Sequence, residues 1–333
     1  MEGQKRLEEL DILKGMGIML IVLGHLEPGT YIMRFIYSFH LFLFFACSGF
    51  VGKRYENRKA TSVLFQNLKR LLLPYLVWSI LSQSVDLAFG IIDINQAIKN
   101  ILFVDANVGW NAALWFLVSL FWADTLCSVI VKMKRALQLC ACMVMAGLWI
   151  VLIVEDLVVP FGLYTVPVAA LFWMIGYWIN SYSVIERIRG LRISSKIGVG
   201  GVLLGICICC GTVFNSVISI YHIQYQNVIL TIIAGISGVL YMLVISCIFS
   251  KIDKIKKFLM FYGKNTLTIL CTHYFVLRII GTVSQILIGK NLWRYTSTPK
   301  SFLFAAILIA IYYPLIVMIN VTKSRIAWLK YVI

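Results

Sequence analysis

Apolar residues run through this chain in long blocks, separated by short polar stretches that are mostly basic. About 20 consecutive apolar residues let a helix cross a bilayer. Ten blocks approach that length, at 13–29, 33–52, 71–92, 112–131, 137–154, 164–181, 197–214, 227–249, 265–288 and 301–321. In lipid every backbone polar group must find a partner within its own segment, so such blocks become helices. The pattern therefore predicts an all-α, polytopic integral membrane protein with about ten transmembrane helices. A single membrane domain is expected over residues 1–333, with no soluble domain. Residues 1–12 are polar and lack a cleavable signal pattern, so the first block is expected to stay as a helix.

Composition agrees: 61% of residues are hydrophobic and 13% charged, against about 45–50% and about 25% in soluble domains. The net charge of +16 would suit a nucleic-acid partner if it formed a patch, but the basic residues sit in loops beside the apolar blocks. On the side of the N-terminus lie 24 of them and on the opposite side 5, with Arg278 inside a block. Such an asymmetry predicts both termini in the cytoplasm of a multi-pass protein of the cell inner or plasma membrane. Nucleic acid is excluded as a partner on the same ground. All nine cysteines fall in apolar blocks, where packing rather than a disulfide framework is expected.

Ionisable side chains within a membrane are costly and usually face a cavity or a partner. Here they are His25, His40, Asp86, Asp124, His273 and Arg278. Lys14 and His25 are eleven residues apart, which is about three helical turns, so they share one face about 16 Å apart along the axis. They read either as the two ends of one elongated site, or as a snorkelling lysine and an interhelical histidine. With both termini inside, His25 and His40 lie at similar depth near the outer face, on helices joined by a short connection. His222 falls in an outer loop and is expected to be solvated. Arg278 needs an anion, which a bound ligand would supply. Ser48 and Gly49 read as close helix packing. No metal-binding constellation is present.

Five segments together carry a resemblance: LDILKGMGIMLIVLGH at 10–25, FHLFLFFACSGF at 39–50, KRLLLPY at 69–75, LWFLVSLF at 114–121 and YGKNTLTILCTH at 262–273. They resemble the membrane-bound acyltransferase-3 family, nearest the sugar O-acetyltransferases related to fucose 4-O-acetylases. The resemblance implies ten helices and transfer of an acyl group, commonly acetyl, from cytoplasmic acetyl-CoA to a hydroxyl of a cell-surface or lipid-linked sugar. Its basic-residue-x10-His motif falls on Lys14 and His25. An arginine pair spaced by three is met only at Arg70, with Asn67 in the first place and Lys69 beside it. No esterase-like domain is expected after the last helix.

Transfer to a hydroxyl needs a base and stabilisation of an oxyanion. Histidine titrates near working pH, so His25 is the expected general base, with His40 orienting it or the acceptor. Lys14, Lys69 and Arg70 are the expected partners of the acyl-CoA phosphates, although Lys69 and Arg70 would serve equally as positive-inside residues. Trp115, His273 and Arg278 are the candidate acceptor-binding residues, set against ordinary interfacial and core roles. The rival reading is a transporter or flippase of a glycan intermediate. The internal repeats and paired broken helices of many transporters are not evident.

Overall fold

The computed structural model describes residues 7–104, 108–290 and 298–325. Of the basic residues weighed above, Lys5, Arg6, Arg294 and Lys330 lie outside them. The described helices are α1 (Glu8–Gly24), α2 (Thr30–Tyr37), α3 (His40–Phe50), α4 (Ala60–Asn67), α5 (Leu73–Ala88), α6 (Ile94–Leu102), α7 (Trp115–Ile130), α8 (Arg135–Val154), α9 (Val166–Ser181), α10 (Val184–Gly190), α11 (Ile193–Ile208), α12 (Val228–Phe249), α13 (Asp253–Lys264), α14 (Thr266–Ile288) and α15 (Thr298–Arg325). Among the described residues, nine helical stretches are long and apolar enough to cross a membrane. They match nine of the ten expected blocks.

The remaining block is α1, whose 17 residues fall short of a full span. It lies at the centre of the bundle and packs on α3, α12, α13, α14 and α15. Its expected run to residue 29 stops early, because Glu27 takes φ 50°, Pro28 follows and Gly29 sits at φ 105°. Proline cannot continue the backbone ladder, and a positive φ ends it. His25 is thereby the residue just past the helix, its N–H bonded to Ile21 O at 3.1 Å.

Two of the other blocks depart from continuous helices in ways that place site residues. At 33–52 the chain breaks between α2 and α3, where the Ser38 hydroxyl donates to Phe35 O at 2.7 Å and competes with the backbone ladder. The break places His40 at the first position of α3. The block at 71–92 begins earlier, with α4, and passes through a π-turn at Leu68–Leu72 into α5. Pro74 follows within one turn and has no N–H for the carbonyl of Arg70, so the ladder must widen there. Lys69 and Arg70 both lie in that turn.

Small residues set the closest contacts. A Cβ at Gly15 would overlap the carbonyl of Leu259 on α13, and one at Gly263 the carbonyl of Asp11. The α3–α9 pair repeats the device, with Gly49 against Trp173 O and Gly176 against Ala46 O. Helices in lipid associate through such close packing. Gly176→Ala is expected to force α9 away from α3 and cost about 1–3 kcal/mol, read as a lower unfolding temperature in detergent. A variant that melts with the wild type would show that the two backbones are not in contact.

At the end of the bundle where α1 starts, Glu9 accepts from Arg189 Nε and Nη2 at 2.7 and 2.5 Å, tying α1 to α10. Burial is the largest single influence on the Glu9 carboxyl and raises its pKa. The hydrogen bond and charge of Arg189, a backbone hydrogen bond and the charge of Lys251 together outweigh it, leaving the pKa below the ordinary carboxylate range.

Candidate active site

The helical period brings Leu10, Lys14, Ile18, Ile21 and His25 onto one stripe of α1, and that stripe lines two cavities. The first, about 290 Å³, holds Lys14 and Arg70, with Cys47 and Ser48 from α3 and Thr266 from the start of α14. The second, about 190 Å³, holds His25, Tyr37, His40, Trp115, Tyr221, His222 and Tyr274. Ile21, Phe116 and Leu270 belong to both walls, so the two cavities share an apolar collar.

Each cation of the first cavity has a carboxylate behind it. Lys14 Nζ lies 3.1 Å from Asp11 Oδ1. Arg70 pairs with Asp124, a fully buried acid that also accepts from Ser48 Oγ at 2.6 Å and Trp173 Nε1 at 2.5 Å. Asn67, in the place of the missing arginine, accepts from Arg70 at 3.3 Å and donates to Thr125 at 3.4 Å. A buried carboxylate with three donors is well satisfied, and it holds the guanidinium at the cavity wall. Lys69, on the same π-turn, is exposed and does not line the cavity. One residue along a helix turns a side chain by about 100°, which separates these neighbours.

In the second cavity His40 directs Nδ1 at Ile36 O, 2.8 Å away. A carbonyl only accepts, so Nδ1 carries the proton and Nε2 is the free acceptor. His25 Nδ1 lies 2.9 Å from the Tyr274 hydroxyl, and its ring stacks on His273 with centroids 5.1 Å apart. His273 Nδ1 faces the carbonyls of Ile269 and Leu270, and its buried Nε2 has no hydrogen-bond partner among the described residues. His273 thus stands behind His25 and is absent from the cavity wall.

Trp115 stacks on Tyr221 at 5.5 Å and 20°. That wall is pinned from outside, since Val108 N–H donates to Tyr221 Oη at 2.8 Å and Tyr164 Oη donates to Tyr221 O at 3.0 Å. His222 is exposed and also lines the cavity, so it is more than a solvated loop residue.

Arg278 finds its anion within the protein. Its Nη1 lies 2.8 Å from Asp86 Oδ1 and its guanidinium lies over Trp110, 4.5 Å from the ring centroid. Asp86, at 6% exposure, is a buried partner. Ser48 likewise does more than pack, through its bond to Asp124. Among the described residues no three His, Cys, Asp or Glu side chains are placed to hold a metal ion.

The family model of the acyltransferase domain numbered 3 matches residues 7–321, nearly the whole chain. The chain belongs to the acyltransferase-3 family. It is a multi-pass membrane acyltransferase. Neither a curated protein nor a solved structure matches it. Sequence reasoning left out, among others, Tyr37, Tyr221, His222 and Tyr274 in one of this acyltransferase's cavities and Cys47, Ser48 and Thr266 in the other. Tyr274 had one signal in the sequence, its place directly after His273.

Proposed function

We propose that the protein is an O-acyltransferase that moves an acetyl group from cytoplasmic acetyl-CoA to a hydroxyl of a cell-surface or lipid-linked sugar. The observation that carries the reading is the pair of cavities on one stripe of α1, cationic at Lys14 and imidazole-lined at His25, meeting at an apolar collar. The positive-inside asymmetry supports a cytoplasmic position for the cationic cavity, in a plasma or inner membrane. Donor phosphates then rest at Lys14 and Arg70, and the donor's thioester arm passes the collar to reach His25. Arginine suits phosphate through its planar fork. The segment at 10–25 resembles the sugar O-acetyltransferases related to fucose 4-O-acetylases, which supports a sugar acceptor.

The acceptor enters the second cavity from the opposite side, its ring against Trp115 and Tyr221. Aromatic walls with a few placed polar groups suit an uncharged polyhydroxylated ring. His25 Nε2 takes the proton of the acceptor hydroxyl while that oxygen bonds to the thioester carbonyl carbon. Collapse of the tetrahedral intermediate breaks the C–S bond. The proton passes from the imidazolium to the departing thiolate, giving the O-acyl sugar and free CoA. His40 Nε2, already bare, accepts from a second hydroxyl and fixes the ring's orientation.

Donor kinetics test this division of labour. Arg70→Gln and Lys14→Gln are each expected to raise the donor KM about tenfold or more, the worth of a charge-assisted hydrogen bond. Lys69→Gln is expected to leave it unchanged, because that side chain is exposed away from the cavity. Equal effects at Lys69 and Arg70 would mean that only the general positive charge of this face matters.

A further inference from the structure

The proposed role of His25 needs Nε2 free of a proton, so Nδ1 must carry it, and the group facing Nδ1 decides whether it does. That group is the Tyr274 phenol, 2.9 Å away. His273 is the other ring in contact with His25 and cannot do this work. Its Nδ1 is spent on two backbone carbonyls, and it meets the imidazole face to face, at 28° between planes. A face presents no lone pair to an N–H. His40 is bound to Ile36 O through its own Nδ1, and Tyr37 lies against His40 at 4.9 Å.

We propose that Tyr274 is a positioning residue for the transfer step: its hydroxyl oxygen accepts the Nδ1–H of His25, fixing the tautomer that leaves Nε2 as the base. This rests on the reading of His25 as base given above. The phenol is half-buried and itself lines the second cavity, so its hydrogen remains free to donate into that space. The helix supplies rigidity. Tyr274 lies mid-way along α14, whose neighbour residue His273 presses its ring on the same imidazole, with His273 and Tyr274 ring centroids 4.6 Å apart. His25, by contrast, is the residue just past the end of α1. An imidazole on a helix end is oriented by what it touches, as metal-bound and triad histidines are by their second hydrogen bond.

The test has an arm that needs no variant. The protein has four histidines, so 15N-histidine labelling with solid-state NMR in lipid bilayers can resolve each ring, and His25→Gln assigns the signal. The expected wild-type His25 signal has Nδ1 of the protonated type and Nε2 of the bare type. A protonated Nε2 would overturn the proposal. Tyr274→Phe is expected to lower kcat between about 10- and 100-fold with donor and acceptor KM within about twofold, and to mix the two tautomers. An unchanged kcat in a folded Tyr274→Phe protein would overturn it too. Should His25→Ala retain full transfer, the functional reading fails while the NMR result still judges the hydrogen bond.

Discussion

Replacing His25 by alanine is expected to lower acyl transfer by about 10²–10⁴-fold, the usual worth of a positioned general base. The loss belongs in kcat. The cations that face the donor, Lys14 and Arg70, sit about three helical turns away on α1 and on another element, and their pairs with Asp11 and Asp124 do not involve His25. The donor KM should therefore hold, which marks removal of an interaction made only in the transition state. Folding should hold as well. His25 follows the last residue of α1, and its backbone N–H bond to Ile21 survives the substitution. Initial rates against donor concentration, with the amount of folded protein measured in parallel, check both halves. A matching fall in folded protein would turn the result into one about stability.

Asp124→Asn is expected to act at the other cavity and through two readouts. The carboxylate serves Ser48, Trp173 and Arg70 at once. An asparagine keeps one acceptor oxygen for Ser48 and Trp173 but turns an NH₂ toward the guanidinium, setting donor against donor. A cation left without its buried partner costs about 3–5 kcal/mol when it stays buried. Arg70 is 35% exposed at its side chain, so it can swing into the cavity, and the expected cost falls to about 1–3 kcal/mol. The displaced guanidinium is expected to raise the donor KM about tenfold. The double variant Arg70→Gln/Asp124→Asn separates the two effects: stability should recover relative to Asp124→Asn alone, while the donor KM stays high. Detergent melting and donor titration measure them. A double variant whose losses simply add would show that Asp124 and Arg70 do not act as a unit.

The fold was legible where a block of apolar residues is long enough to demand a helix, and nine span-length stretches stand where the blocks put them. What the blocks hide is where a helix stops or slips inside them. The end of α1 at Gly24 comes from Glu27, Pro28 and Gly29, which hydropathy does not weigh. The α2–α3 break comes from Ser38, one polar residue inside an apolar run. The π-turn at Leu68–Leu72 reflects Pro74 downstream. The stripe linking Lys14 to His25 follows from the helical period alone, and so does its reach through Ile18 and Ile21. Partners are another matter. Nothing within the local sequence joins Arg70 to Asp124, 54 residues on, or His25 to Tyr274, 249 residues on. Arg278 shows the same limit, since the need for an anion was visible but Asp86, on a different helix, was not. Lys69 and Arg70 look equivalent in the sequence, and only the turn of the π-helix separates an exposed cation from one at the cavity.

The claim that most needs a direct test is that the acyl group crosses from a donor on one side to a hydroxyl on the other at His25. The measurement is label transfer in sealed inverted membrane vesicles carrying wild type or His25→Ala, with acetyl-labelled CoA supplied only outside, at the original cytoplasmic face. Sugar-bearing lipid and polysaccharide inside the vesicles are then treated with mild base, which releases O-acetyl and spares N-acetyl groups. Base-labile label enclosed in wild-type vesicles and missing from His25→Ala vesicles is the predicted result. Equal label in both, or label confined to acceptors on the outer surface, would contradict the account.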